Sequence, residues 1–339
     1  MSAVLTVERI TDIDTLALVE PEWWTLWQRS QTATPFQSPA WQLAWWEAFS
    51  PGQLRVLAIR NEDELAALVP LYLETGTLGP RLLPIGISLS DYIDVLTRPE
   101  AAGVLDEVVG QLCRWSEWDC WEMEPVPFGA ALLRIPSPDY CTRHVTESET
   151  CPVLDLHQGY TDAGTHAAVP ARQRRKLRMA RHRIARSGAR IALVTTTEWS
   201  SGLWIEALFK LHALRWQERG EPGVLADPRT RTFQDAALPC LMRRGIARLL
   251  ALTIDGELAA VYYGFTHRHR AYAYLGGFDP RFSYYSPGTL LLGRAIEDAL
   301  RGGVREFHFL RGAEDYKYAW GATDRQTFRV AFKKRSAHD

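Results

Sequence analysis

The sequence repeats itself. "LRVLAIRNEDELAAL" at 54–68 aligns without a gap on "ARLLALTIDGELAAV" at 247–261, with seven of fifteen positions identical, including the whole of "ELAA". Each copy is an apolar run, a short acidic or Asp-Gly turn and a second apolar run, which is the pattern of a β-hairpin. The segments after each hairpin also match in kind: a further strand ("RLLPIGISL", then "AYAYLGGF"), an amphipathic helix (99–118, then 288–302) and another strand ("CWEMEPV", then "REFHFL"). A chain of 339 residues with self-similarity at an offset of 193 is most simply two half-chains of like architecture. The fold class expected is α/β (α+β), with mixed central sheets and flanking helices. The polar stretch from Pro136 to Pro152 places the boundary near 156, giving domains 1–155 and 156–339, the second with a basic helical insert over 170–190.

Composition narrows the class. With 46% hydrophobic and 23% charged residues the chain is an ordinary globular one. Its net charge of -1 means that any affinity for phosphates must come from local clustering. The five cysteines are scattered with no CxxC pair, so neither a metal site nor a disulfide framework is expected, and a reducing compartment fits. No signal-peptide pattern and no apolar run near the ~18 residues of a membrane span is present, and the expectation is a cytoplasmic protein. Thirteen tryptophans, many in "WWTLWQ" and "WQLAWWEAF", recur at helical spacing, which favours packing over a ligand-stacking shelf.

Five stretches carry chemistry. "HFLRGAEDYKYAW" (308–320) mixes Arg311, Glu314, Asp315, Tyr316 and Lys317 with aromatics, as a strand does when it ends and delivers polar residues into a site. "YYSPGTLLLGRAIEDAL" starts a helix with Ser286 as N-cap, Pro287 at the first helical position and Gly288 open to close approach. "PARQRRKLRMARHRIARSGAR" places nine Lys or Arg between Ala171 and Arg190 on a helix with a thin apolar stripe. That helix reads as a solvated face, as a clamp on substrate phosphates, or as an electrostatic contact to tRNA or an anionic membrane. "LFKLHALRWQERG" sets His212 and Arg215 on neighbouring positions of one helix face, beside Trp216. In the first half, "GISLSDYIDVL" offers Asp91, Tyr92 and Asp94 at the end of a strand, which could equally be a turn or cap.

The segments "PFQSPAWQLAWW", "SDYIDVL", "LHALRWQERG", "GGFDPRFSYYSPGTLLLGRAIEDALRGG" and "FHFLRGAEDYKYAWG" occur in the order seen in the cellulose-biosynthesis-associated, CelD-like branch of the GNAT acyltransferases. The chain resembles that branch from about Pro35 to Trp320, and is similar, more distantly, to the Fem-type peptidoglycan aminoacyltransferases, which are two GNAT folds in tandem. The resemblance implies acyl transfer from a thioester, acetyl-CoA or another acyl-CoA, to an amine, with aminoacyl-tRNA as donor in the Fem-type alternative. A third reading is a catalytically silent binding module in a polysaccharide-synthesis complex. The expected acceptor is a saccharide amine such as a sugar nucleotide or polysaccharide precursor.

By the same resemblance, the helix start at Ser286, Pro287, Gly288 and Thr289 would hold the CoA diphosphate, although the usual two-glycine signature is absent. Glu314 or Asp315 would be the base, Tyr316 the donor to the leaving thiolate and Lys317 the cation beside developing negative charge. Arg311, Arg172, Arg175 and Lys176 would grip substrate carboxylate or phosphate. His212, Arg215 and Trp216 would line the acceptor cleft, and Asp91 and Tyr92 would reach the acceptor from a degenerate first domain.

Overall fold

The computed structural model describes residues 5–99, 103–135, 141–157, 167–217, 223 and 225–335, the side chains of 215–217 excepted. In chain order the elements are β1 (Leu5–Ile10), α1 (Ile13–Leu18), α2 (Glu20–Arg29), α3 (Pro39–Phe49), β2 (Gln53–Asn61), β3 (Glu64–Gly76), β4 (Gly79–Pro84), β5 (Leu96–Thr97), α4 (Val104–Arg114), β6 (Cys120–Pro127) and β7 (Cys141–Asp155). They continue with α5 (Ala171–Ser187), β8 (Ile191–Thr195), α6 (Ser201–Gln217), α7 (Pro228–Arg243), β9 (Ala247–Ile254), β10 (Glu257–His267), β11 (Arg270–Phe278), α8 (Pro287–Arg301), β12 (Glu306–His308), α9 (Asp315–Ala319) and β13 (Thr323–Lys334).

Contacts divide the chain into two compact units, Met1–Glu149 with Arg325–Asp339, and Thr150–Asp324. Within the first the strand order is β1-β2-β3-β4-β6-β13, and within the second β8-β9-β10-β11-β12-β7, the last through residues 150–155. The repeated hairpins are β2–β3 and β9–β10, each closed by two residues, Glu62-Asp63 and Asp255-Gly256. Asp255 and Gly256 both have positive φ (+52° and +86°), as a type I′ turn requires. In each unit the third strand of the meander then runs parallel to the strand beyond the following helix: Arg81 opposite Cys120 and Leu82 opposite Trp121, and in the second unit Arg270 opposite Glu306 through Tyr272 opposite His308. A parallel neighbour needs a crossover, and α4 and α8 supply it.

The tryptophans of the first unit are core. Trp23 and Trp41 are fully buried, and the indoles of Trp23 and Trp27 donate to the carbonyls of Gln37 (3.0 Å) and Thr34 (2.7 Å), which satisfies their polar edges. The sequence places everything after 156 in one domain, whereas residues 325–335 complete the first unit. Val330 and Phe332 are buried there, with Phe332 stacked on Trp121 at 4.6 Å, because an apolar alternating strand covers the otherwise open edge of β6.

The two units differ most between the third meander strand and the crossover helix. In the first unit residues 85–98 fold back into the sheet: the Ile93 amide donates to Pro125 of β6 at 2.8 Å, Leu96 and Thr97 pair with β3, and Ile93 and Val95 join the core. In the second unit residues 279–286 alone make the connection. No helix among the described residues is long and apolar enough to cross a membrane.

Candidate active site

In the second unit β11 and β12 pair over three residues and then part. β12 stops at His308 while β11 continues to Phe278, and Ala273 to Gly276 are half-exposed although they lie in a central strand. The chain beyond β12 is drawn aside. The Phe309 amide donates to Pro152, Leu310 takes a left-handed backbone (φ +62°) and Gly312 one of φ +99°. A leucine there is uncommon and costs about 1 kcal/mol or more, so the surroundings must hold it. The result is a wedge open beside the β11 edge.

Lys317 is what holds the turn. Its side chain is 2% exposed, and its ammonium donates to the carbonyls of Leu310 (3.1 Å), Arg311 (2.5 Å) and Gly312 (2.9 Å) and pairs with the Glu314 carboxylate at 2.9 Å. The family resemblance places this cation beside developing charge. In the structure its three protons are already spent on consecutive carbonyls, and what it fixes is the path of residues 310–314. Gly312 is required twice over, by its φ and because a Cβ would come within 2.6 Å of the Glu314 carboxylate.

Around this clip, Asp315 opens α9 and is exposed, Tyr316 is 46% exposed and lies edge-on to Phe309, and Arg311 is half-buried. The buried Tyr262 hydroxyl, whose pKa is raised chiefly by burial and further by the neighbouring Tyr316, shares the place. Glu314, Asp315, Tyr316, Lys317 and Arg311 therefore come together as the sequence suggests. Sequence reasoning missed Tyr262; its signal was the "YYGF" run, where β10 bulges at Tyr263/Gly264 and a Cβ on Gly264 would overlap the Tyr262 hydroxyl. His308 stacks on Tyr272 (5.0 Å, 27°) with its Nε2 3.3 Å from Glu306, a satisfied strand histidine.

At the other end of β11, residues 280–285 form a 3-10 turn anchored by Asp279, whose carboxylate accepts from the Arg281 amide (3.0 Å) and guanidinium (2.7 Å). Pro287 begins α8 as expected, but Ser286 does not cap it with its hydroxyl. Ser286 also ends the 3-10 turn, with φ +54° and ψ +52°, and side-chain capping needs an extended backbone. Its carbonyl instead accepts from Thr289 (3.0 Å) and Leu290 (3.2 Å). Gly288 is exposed, and a Cβ on it would touch only Phe278 at 3.7 Å, so crowding is not what calls for glycine. The unpaired amides of this helix start and the helix dipole still favour an anion.

The basic helix α5 lies on the same unit. Leu177 seats against Gly293 of α8, where a Cβ would be 2.9 Å away; Arg181 pairs with Glu297 at 2.6 Å; and Arg183 donates to the Tyr284 carbonyl at 2.6 Å with its guanidinium over that ring. Arg183 thus ties α5 to the turn that leads into α8. Arg172, Arg175, Lys176 and Arg178 are exposed and form no hydrogen bond or ion pair among the described residues.

Three further candidates, His212, Asp91 and Tyr92, are buried. His212, on α6, is 3% exposed, and α6 packs so closely on β11 that a Cβ on Gly277 would lie 2.7 Å from the Leu211 backbone. The side chains of Arg215 and Trp216 lie outside the described residues. Asp91 and Tyr92 are buried in the first unit (8% and 3% exposed), where Gln37 donates to the Tyr92 carbonyl at 2.8 Å and Trp41 to Ser90 at 3.0 Å. Asp94 there accepts from the amides of Val95, Ala131 and Leu132, capping the turn at 131–134. The aspartate-rich turn is held inside a tryptophan core by these hydrogen bonds. No group of three or more His, Cys, Asp or Glu among the described residues is arranged to hold a metal.

The family model for the acetyltransferase (GNAT) domain matches residues 171–318. The fold is similar to that of FemX, at TM-score 0.66 and 11% identity over 96% of this chain and 96% of that one. A conserved protein of unknown function from Bacteroides thetaiotaomicron superposes at TM-score 0.63 and 11% identity, covering 96% and 100%. L-PGS from Bacillus licheniformis superposes at TM-score 0.54 and 12% identity, covering 88% of each chain. No curated protein matches the sequence. The fold is thus shared with FemX over nearly the whole chain, and residues 171–318, within the second unit, match the GNAT acetyltransferase domain model.

Proposed function

We propose that the second unit is an N-acyltransferase that takes an acyl group, acetyl in the simplest case, from acyl-CoA to an amine. The observation that carries this reading is the wedge where β11 outruns β12, next to the start of α8. The half-exposed stretch Ala273 to Gly276, which lies beyond the pairing of β11 with β12, would present a strand edge to an extended ligand arm. Gly288 and Thr289 offer the helix start to its diphosphate. Acyl-CoA would supply an activated thioester, and the protein need only orient the amine, take its proton and protonate the thiolate.

Tyr316, exposed beside the buried Tyr262, is the proton donor in this reading. Asp315 or Glu314 takes the proton from the amine, and Glu314 is the poorer base because it is engaged with Lys317. Lys317 acts by fixing the turn that carries all three. Arg172, Arg175 and Lys176 would draw in a phosphate-bearing acceptor, such as a sugar nucleotide or another polysaccharide precursor.

The test is calorimetric titration with acetyl-CoA and with free CoA at low and physiological salt. Micromolar binding of both, with slow hydrolysis or transfer to added amines, is the expected outcome; absence of binding overturns the reading. An aminoacyl-tRNA donor is the second reading, favoured by the unpaired cationic face of α5 and by the likeness to FemX and L-PGS. It would show as tRNA affinity falling steeply with salt.

A further inference from the structure

Two cysteines of the first unit meet inside its core. Cys113 lies in the last turn of α4, and Cys141 is the first residue of β7. They are 28 residues apart and share no motif, yet their sulfurs stand 2.7 Å from each other. Even carbon atoms in contact rest about 3.5 Å apart, and sulfur is the larger atom, so this is bonding reach rather than packing. A disulfide, about 2.05 Å between sulfurs, requires two side chains already aimed at each other, because a packed backbone does not move to bring them together.

The surroundings hold the pair in place. Cys113 is 8% exposed and Cys141 is fully buried, and both belong to one apolar cluster with Leu112, Trp118, Ile135 and Phe332. Trp118 is tied to α4 by its indole, which donates to the Leu112 carbonyl at 2.8 Å, and Lys334 of β13 lies 4.8 Å over the same ring. A close-packed core leaves the end of α4 and the start of β7 little freedom to separate. Of the other three cysteines, Cys120 donates to Glu122 at 3.5 Å, and Cys151 and Cys240 belong to the second unit.

We propose that Cys113 and Cys141 are a disulfide-forming pair, oxidised by exchange with a low-molecular-weight disulfide. One cysteine, as thiolate, attacks a sulfur of the small disulfide and expels the first small thiolate, leaving a mixed disulfide. The other cysteine attacks the protein sulfur of that intermediate, forms the Sγ–Sγ bond and expels the second small thiolate. The two protons from the protein end on the two small thiols, so two protein thiols are oxidised while one small disulfide is reduced. Burial, and then the contact with Cys141, push the Cys113 thiol above its ordinary value of 9.0. Cys113 is therefore a poor nucleophile once folded, and the bond forms as the unit folds or when the end of α4 opens. The bridge closes a loop around β6 and the turn at 131–134, and ties the crossover helix to the entry of β7. Restricting the unfolded chain in this way stabilises the first unit.

The test refolds the full chain from denaturant in a glutathione buffer containing the oxidised form, so that burial does not limit access. Free thiols are then counted in denaturant with a chromogenic disulfide reagent. Three of the five cysteines are expected to remain free, with 113 and 141 joined in the peptide map and all five recovered after reduction. Cys113→Ala and Cys141→Ala should each leave four free thiols. The oxidised wild type should melt roughly 5 °C or more above the reduced form, a difference absent from both variants. The wild-type count and map decide the matter even where a variant fails to fold. The proposal fails if the refolded wild type keeps five free thiols or carries only glutathione adducts, or if the map joins either cysteine to a different partner. A bridge that lowers the melting temperature overturns it likewise, since the native core would then not hold the sulfurs in bonding geometry.

Discussion

Lys317 shows how far a single residue can be read. Its position among acids and aromatics marks it as a candidate in the sequence, and in the structure it lies among those same residues. Its task was hidden because the three carbonyls it binds are brought together only by the left-handed turn at Leu310, a conformation no composition announces in a leucine. Lys317→Met should therefore cost about 3 kcal/mol of stability, since three carbonyls lose their donor and Glu314 its counter-ion. Chemical denaturation checks this. Turnover should fall with it through a lower kcat, while CoA affinity at the α8 end stays near wild type; a stable Lys317→Met with normal kcat would mean that the clip does not govern the site. Asp279 gives a pH signature. Its carboxyl is held below its ordinary value first by the Arg281 hydrogen bonds, so its contribution to stability is full above that ordinary value, 3.8, and is lost as pH falls through the lowered folded one. Asp279→Asn should flatten that acid limb of the stability curve.

At the scale of elements the sequence is most informative where periodicity is strong. The paired hairpins, α8 and α5 are all legible, as is the helical spacing of the tryptophans, because apolar residues at fixed intervals leave one face to bury. Ends and connections are less so. Ser286 reads as an N-cap until the 3-10 turn before it claims the same residue, and 85–98 reads as strand and turn when it is a segment folded into its own sheet. Two glycines on these elements separate space from charge. Gly288→Ala should leave donor binding nearly unchanged, since the added methyl meets only an ordinary contact, whereas Gly288→Asp should weaken acyl-CoA roughly fivefold or more by placing a charge at the helix start. Gly277→Ala, by contrast, drives a methyl into the Leu211 backbone and should destabilise by about 2 kcal/mol, read as a lower melting temperature.

The whole molecule is two copies of one plan, and the repeat at an offset of 193 residues announced that in the sequence. What it did not announce is that the copies are unequal in completeness, because β13 leaves the second half to finish the first. A fragment covering 150–324 is continuous and should fold alone, whereas 1–149 without 325–335 lacks Val330 and Phe332 from its core and should remain largely unfolded by circular dichroism. Cooperative melting of the isolated 1–149 segment would contradict this. The borrowed strand also fixes an order of events during synthesis. Chains commonly fold from the N-terminus as they leave the ribosome. Here the first half must wait, its sheet lacking an edge, until residues 325–335 have been translated. The half that contains residues 171–318 is complete before it, and the earlier-made half is the later to close.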